Sequence, residues 1–200
     1  IEDLMSDDMK NKLKTCLQNV RKKEITEAIN KAAAANANAA KPELPGRPID
    51  CGTEDCSMAI KTLSSIPPFS YLPQETIRSI IIPELRIQHF EDGQIILKQG
   101  STGNHDVCIL ESGRIMMVQF KHRVALGEHT VRFCGYLDAP TYFGTHATLF
   151  ERDRETQMVA GGAGVVVYRL SGATFETLIR DHNAFRLKIA LSLRQFGSFR

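Results

Sequence analysis

Residues Leu85 to Phe120 read LRIQHFEDGQIILKQGSTGNHDVCILESGRIMMVQF, and the texture of this stretch decides the fold. Short apolar runs are divided by turns: Arg86 to Phe90, Glu91-Asp92-Gly93, Gln94 to Lys98, Gln99-Gly100, Ser101 to Asn104, Val107 to Leu110, Ser112-Gly113 and Arg114 to Phe120. Runs this short and this closely spaced, with glycine where the chain must reverse, predict antiparallel strands of a sandwich or barrel.

Working outward, further strands are expected at Thr130 to Tyr136 and at Gln157 to Leu170, the second interrupted by Gly161, Gly162 and Gly164. Helical spacing brackets the strands. Ser57 to Leu63 reads as a helical turn that stops before Pro67-Pro68, and the run from Pro73 to Ile82 has a proline at a helix start. Ala173 to Arg180 and Arg186 to Phe196 return to helical spacing. Helix, strands, helix in that order gives an α+β domain.

The N-terminal segment, residues 1–40, carries Met9, Leu13, Cys16, Leu17 and Val20 at amphipathic helical spacing. Asp3, Asp7 and Asp8 stand near its start and Lys31 towards its end, the sense that the helix dipole favours. Pro42, Pro45, Gly46, Pro48 and Gly52 then break regular structure, so residues 41–57 read as a linker and 58–196 as the folded domain. Because the chain opens at Ile1 rather than methionine, flanking domains are compatible with it.

Composition narrows the function. With 25 basic and 23 acidic residues mixed along 200, and a net charge of +2, no single-sign field exists to hold a polyanion, so nucleic acid is not expected as a partner. No apolar run is long enough to span a bilayer, and no signal peptide is visible, so a cytoplasmic protein without membrane contact is expected. Cys16, Cys51, Cys56, Cys108 and Cys134 are odd in number and lack Cys-x-x-Cys spacing; free surface thiols are the expected state of Cys51 and Cys56. The six histidines (89, 105, 122, 129, 146 and 182) show no paired metal-ligand spacing, so no metal is expected.

The chemistry concentrates in Phe143 to Gln157, FGTHATLFERDRETQ. Gly144 permits close backbone approach to a ligand, Thr145 is suited to cap a helix start, and Arg154 returns a positive charge one short helix later. This cassette is suited to a phosphate. The bland alternative is a capped helix followed by a solvated charge run, Glu151 to Glu155. His146 reads as a partly buried helix residue rather than a base, since no serine, cysteine or acid is placed to work with it, and no enzyme activity is expected.

In several separated places, over about residues 64–185, the chain resembles the cyclic-nucleotide-binding domain family. The resemblance rests on Phe69-Ser-Tyr-Leu72 before a helix, Gly93-Gln-Ile-Ile-Leu-Lys-Gln-Gly100, Ile109-Leu-Glu-Ser-Gly113, Tyr142-Phe-Gly144 with Arg154, and Val167-Tyr-Arg-Leu170 with Thr174-Phe175. It implies an antiparallel β-roll, a jelly-roll-like barrel, flanked by N- and C-terminal helices. It further implies a regulatory module that senses cAMP or cGMP, or a related nucleotide, with no cofactor beyond that ligand, and signals through its C-terminal helices. Gly144, Thr145, His146 and Ala147 would line the phosphate together with Arg154, Glu155 and Thr156. The family pattern has glutamate after the glycine, where its carboxylate accepts the ribose 2′-hydroxyl; here that position is Thr145. The alternative is a degenerate fold that binds no nucleotide and serves as a scaffold, joining a protein partner through its N-terminal or C-terminal helix. Leu44-Pro-Gly-Arg-Pro-Ile49 is not a kinase-inhibitor segment, and no second cassette is present.

Overall fold

Gly113 separates two strands that run into different sheets. Its φ is +87°, and a Cβ there would stand 2.8 Å from Val165 Cγ2, so only glycine makes this corner. In a computed structural model of the chain the described residues are 46–101, 106–123, 128–162 and 164–196, with parts of a helix between 18 and 34. The expected apolar stripe Met9, Leu13, Cys16, Leu17 and Val20 lies outside the described residues.

Nine strands are described: β1 (Arg47–Pro48), β2 (Arg86–Phe90), β3 (Ile95–Leu97), β4 (Val107–Ser112), β5 (Arg114–Arg123), β6 (Glu128–Asp138), β7 (Thr141–Phe143), β8 (Gln157–Ala160) and β9 (Val165–Leu170). They form two antiparallel sheets, ordered β1-β2-β9-β4-β7 and β3-β8-β5-β6. The expected antiparallel roll with flanking helices is present, but the two sheets stay distinct and do not close into a barrel. The run expected as one interrupted strand, Gln157 to Leu170, is two strands in different sheets. The positive φ values of Gly162 and Gly164 accommodate the passage between them.

Helix α1 (Glu54–Ser65) is longer than the expected turn, because Thr53 caps it by accepting the Cys56 amide at 3.4 Å. Part of the expected linker is attached to the domain: Arg47 and Pro48 pair with Ile87 and Arg86, and Ile49 is buried. Helix α2 runs through Gln74–Thr76, a π turn at Ile77–Ile81 and Ile82–Glu84. Short helix α3 (Thr145–Phe150) interrupts the strands, and α4 (Gly172–Asp181) and α5 (Asn183–Phe196) end the described chain. Cys51 is an exposed free thiol as expected, whereas Cys56 is buried because the apolar face of α1 turns it into the core.

Alternation along the strands divides the apolar side chains. Ile87, Ile109, Tyr168 and Leu170 face the helices, packing with Leu63, Phe69, Ile81, Phe175 and Phe185. Phe90, Leu97, Cys108, Leu110, Ile115, Met158, Val165 and Val167 fill the space between the sheets. Phe69 is the aromatic pivot: its ring lies 5.3 Å from Phe185 and 5.9 Å from Tyr142. Lys31 of the N-terminal helix ion-pairs with Asp92 at the β2–β3 turn.

Candidate functional site

Strand β7 delivers the chain to Gly144, which takes φ +89° and stands as the N-cap of α3. Thr145 is therefore the first helical residue, and no side-chain cap hydrogen bond forms; the expected capping role of Thr145 does not hold. After six residues Glu151, itself at φ +47°, stops the helix, and the Arg152 amide donates back to the Ala147 carbonyl at 3.3 Å. The chain then returns, bringing Arg154 back to the glycine that heads the helix.

That return buries Arg154, which is 6% exposed. Its carbonyl accepts from the Gly100 amide at 2.9 Å, anchoring the cassette to the β3–β4 turn. Its Nη2 donates to the Asp106 carbonyl at 3.1 Å, which fixes the guanidinium against the entrance to β4. A Cβ on Gly144 would sit 3.0 Å from Arg154 Nη1 and 3.1 Å from the Asp106 oxygen. Gly144, Arg154 and Asp106 thus meet at one point, and glycine is what leaves room for the other two.

The remaining expected residues divide into those near that point and those turned away. Ala147 is buried, and Thr148 beside it donates its hydroxyl to the Gly144 carbonyl at 3.2 Å. Thr145 and Thr156 are half-buried. His146 is exposed rather than partly buried, and its ring packs 4.7 Å from that of Phe150, also exposed. Glu155 is exposed as well, and its carbonyl accepts from Gln119 Nε2 at 3.4 Å. Exposure lets water screen the carboxylate, so it opposes an anion at Arg154 less than a buried one would.

Two participants were not singled out as site residues from sequence. Asp106 belongs to no motif and carries its role on a backbone oxygen. Arg169 had a signal, a lone charge inside the apolar run Val165 to Leu170, and it proves 7% exposed in the interior. Among the described residues no group of three or more His, Cys, Asp or Glu is placed to hold a metal, and no helix is long and apolar enough to cross a membrane. A buried guanidinium on a glycine-cleared floor is an arrangement that can receive an anion.

Comparison with known proteins agrees with this geometry. Residues 87–182 match the family model of the Cyclic nucleotide-binding domain. The cGMP-dependent protein kinase of Caenorhabditis briggsae is 29% identical over 135 residues, 68% of this chain and 17% of the kinase. Among solved structures, the regulatory domain of Toxoplasma gondii PKA with cAMP superposes with a TM-score of 0.58 at 22% identity, over 70% of this chain and 50% of that one. The sensor domain of the transcriptional regulator DNR from Pseudomonas aeruginosa gives 0.59 at 13%, covering 72% and 91%. The regulatory subunit of a cAMP-independent protein kinase A from Trypanosoma brucei gives 0.56 at 21%, covering 70% and 46%. The chain thus spans about a sixth of the curated kinase it matches. Strands β3 to β9 of the two sheets and a glycine-headed cassette that buries its arginine lie within the stretch, residues 87–182, that matches the cyclic nucleotide-binding domain model.

Proposed function

We propose that this domain binds a cyclic nucleotide, cAMP or cGMP, as a regulatory rather than catalytic event. The observation that carries the reading is Arg154: buried, aimed by the Asp106 carbonyl, and facing a glycine that leaves no side chain in the way. In this reading Arg154 pairs with the cyclic phosphate, the backbone at Gly144 to Ala147 lies beside it, and Thr156 contributes from the returning segment. Thr145 stands where the family's carboxylate would meet the ribose, which sets a modest affinity. The signal leaves through α4 and α5, and Leu187 and Leu191, exposed on α5, support contact with a protein partner there. The exposed free thiols of Cys51 and Cys134 fit a reducing cytoplasm.

Thermal melting in millimolar cAMP, cGMP, adenosine and guanosine tests it. Ligand at a hundred times its dissociation constant stabilises by about 2.7 kcal/mol, so a cyclic nucleotide should raise the midpoint while the nucleosides, lacking phosphate, do not. No shift with either cyclic nucleotide overturns the reading.

A further inference from the structure

We propose that Arg169 is a positioning residue for this site, acting on the cassette arginine through Asp106; the proposal rests on the cyclic-nucleotide reading for its functional consequence. Arg169 lies on β9, the central strand of the larger sheet, between β2 and β4. Its neighbours on the same face, Val165 and Val167, belong to the apolar layer between the sheets. A guanidinium is costly to desolvate in such a place, and it survives there only with good acceptors.

Arg169 has acceptors on separate elements. Its Nε donates to Gln88 Oε1 on β2 at 2.7 Å, and its Nη2 to the Ile96 carbonyl on β3 at 2.8 Å. Its Nη1 lies 4.0 Å from Asp106 Oδ2, an ion pair whose partners are 7% and 23% exposed. The planar fork therefore ties both sheets to the residue that precedes β4. Asp106 is also the residue whose carbonyl receives Arg154 Nη2. One side of Asp106 is held by Arg169, and the other side aims Arg154. Lysine would keep the charge but not the three-way fork.

The test uses the whole chain and reads Arg154 directly. In protein labelled with nitrogen-15 arginine, the Arg154 Nε–H resonance is identified by its loss in Arg154→Lys. Without ligand, Arg169→Lys and the near-isosteric Asp106→Asn should both move or broaden that resonance, and the double variant should add little to either single one. An Arg154 resonance unmoved in both variants overturns the proposal, as does simple additivity of the two effects. Asp106→Asn keeps the test decisive if Arg169→Lys folds poorly.

The second readout is cAMP and cGMP affinity by calorimetry. Each single variant should weaken binding about three- to tenfold, again without addition in the double. If the parent chain binds neither nucleotide, the cyclic-nucleotide reading falls, and the resonance alone still decides whether Arg169 positions Arg154.

Discussion

The hydroxyl of Tyr142 donates to Ser192 Oγ at 2.7 Å, and Ser192 donates onward to the Ile189 carbonyl at 2.8 Å. Tyr142 is on β7, two residues before Gly144, whereas Ser192 is on the last helix. One hydrogen bond therefore fastens α5 to the strand that feeds the cassette. Removing it with Tyr142→Phe should cost about 1 kcal/mol in urea unfolding and speed amide exchange in α5 ahead of the sheets. Unaltered α5 protection in that variant would show that the bond does not hold the helix.

Gly144→Ala tests whether the cassette needs a bare backbone at its head. Left-handed backbone costs an alanine about 1–2 kcal/mol, before any contact with neighbours is counted. The added methyl would press on Arg154 Nη1 at 3.0 Å and on the Asp106 oxygen at 3.1 Å. The variant should melt earlier and lose the nucleotide-dependent shift. Retention of that shift would mean that Arg154 tolerates displacement.

Much of this was legible in the sequence because glycine and alternating apolar residues leave local marks. The strands from Arg86 to Phe120, the head of the cassette at Gly144 and the return at Arg154 all announce themselves by turn chemistry or charge. What escaped depends on contacts distant along the chain. Asp106 meets Arg154 through a backbone oxygen 48 positions away, so its side-chain type gives no hint of that contact. Pairing of Arg47 and Pro48 with β2 was hidden by prolines that read as a linker. The exposure of His146 was hidden because a helix of six residues does not by itself say which face the sheets cover. The split of Gln157 to Leu170 into two sheets is a topological fact that its three glycines permit but do not specify.

In the proposed reading, Thr145 stands at the ribose end of the site. The resemblance places glutamate at this position, and a hydrogen bond to a charged acceptor contributes about 1–2 kcal/mol more than a neutral one. Thr145→Glu should therefore tighten cAMP or cGMP binding about tenfold and leave the 2′-deoxy forms unimproved. An equal gain for ribo- and deoxy-ligands would place the new carboxylate away from the ribose.

Glu111 offers a pH test of the helix-facing side of the larger sheet. Burial pushes its carboxyl up from the ordinary value, partly opposed by His89 and reinforced by Asp55. A raised folded-state pKa means that the protonated form favours folding: its contribution is full below the unfolded value and is lost as pH rises through the folded one. Ionised Glu111 thus opposes folding at neutral pH, and Glu111→Gln should raise the melting midpoint at pH 7. The advantage should close as pH falls below about 4. A gain of equal size at both pH values would point to packing instead of ionisation.

The central claim is that Arg154 receives a cyclic phosphate, and calorimetric titration of cAMP and cGMP into the chain and into Arg154→Gln tests it most directly. Hydrogen bonds to a charged group contribute about 1.5–3 kcal/mol each, so the expected result is saturable heat with at least one nucleotide and binding about 10- to 100-fold weaker in the variant. Absence of heat from the parent chain with both nucleotides, or equal affinity in a folded Arg154→Gln variant, would contradict it.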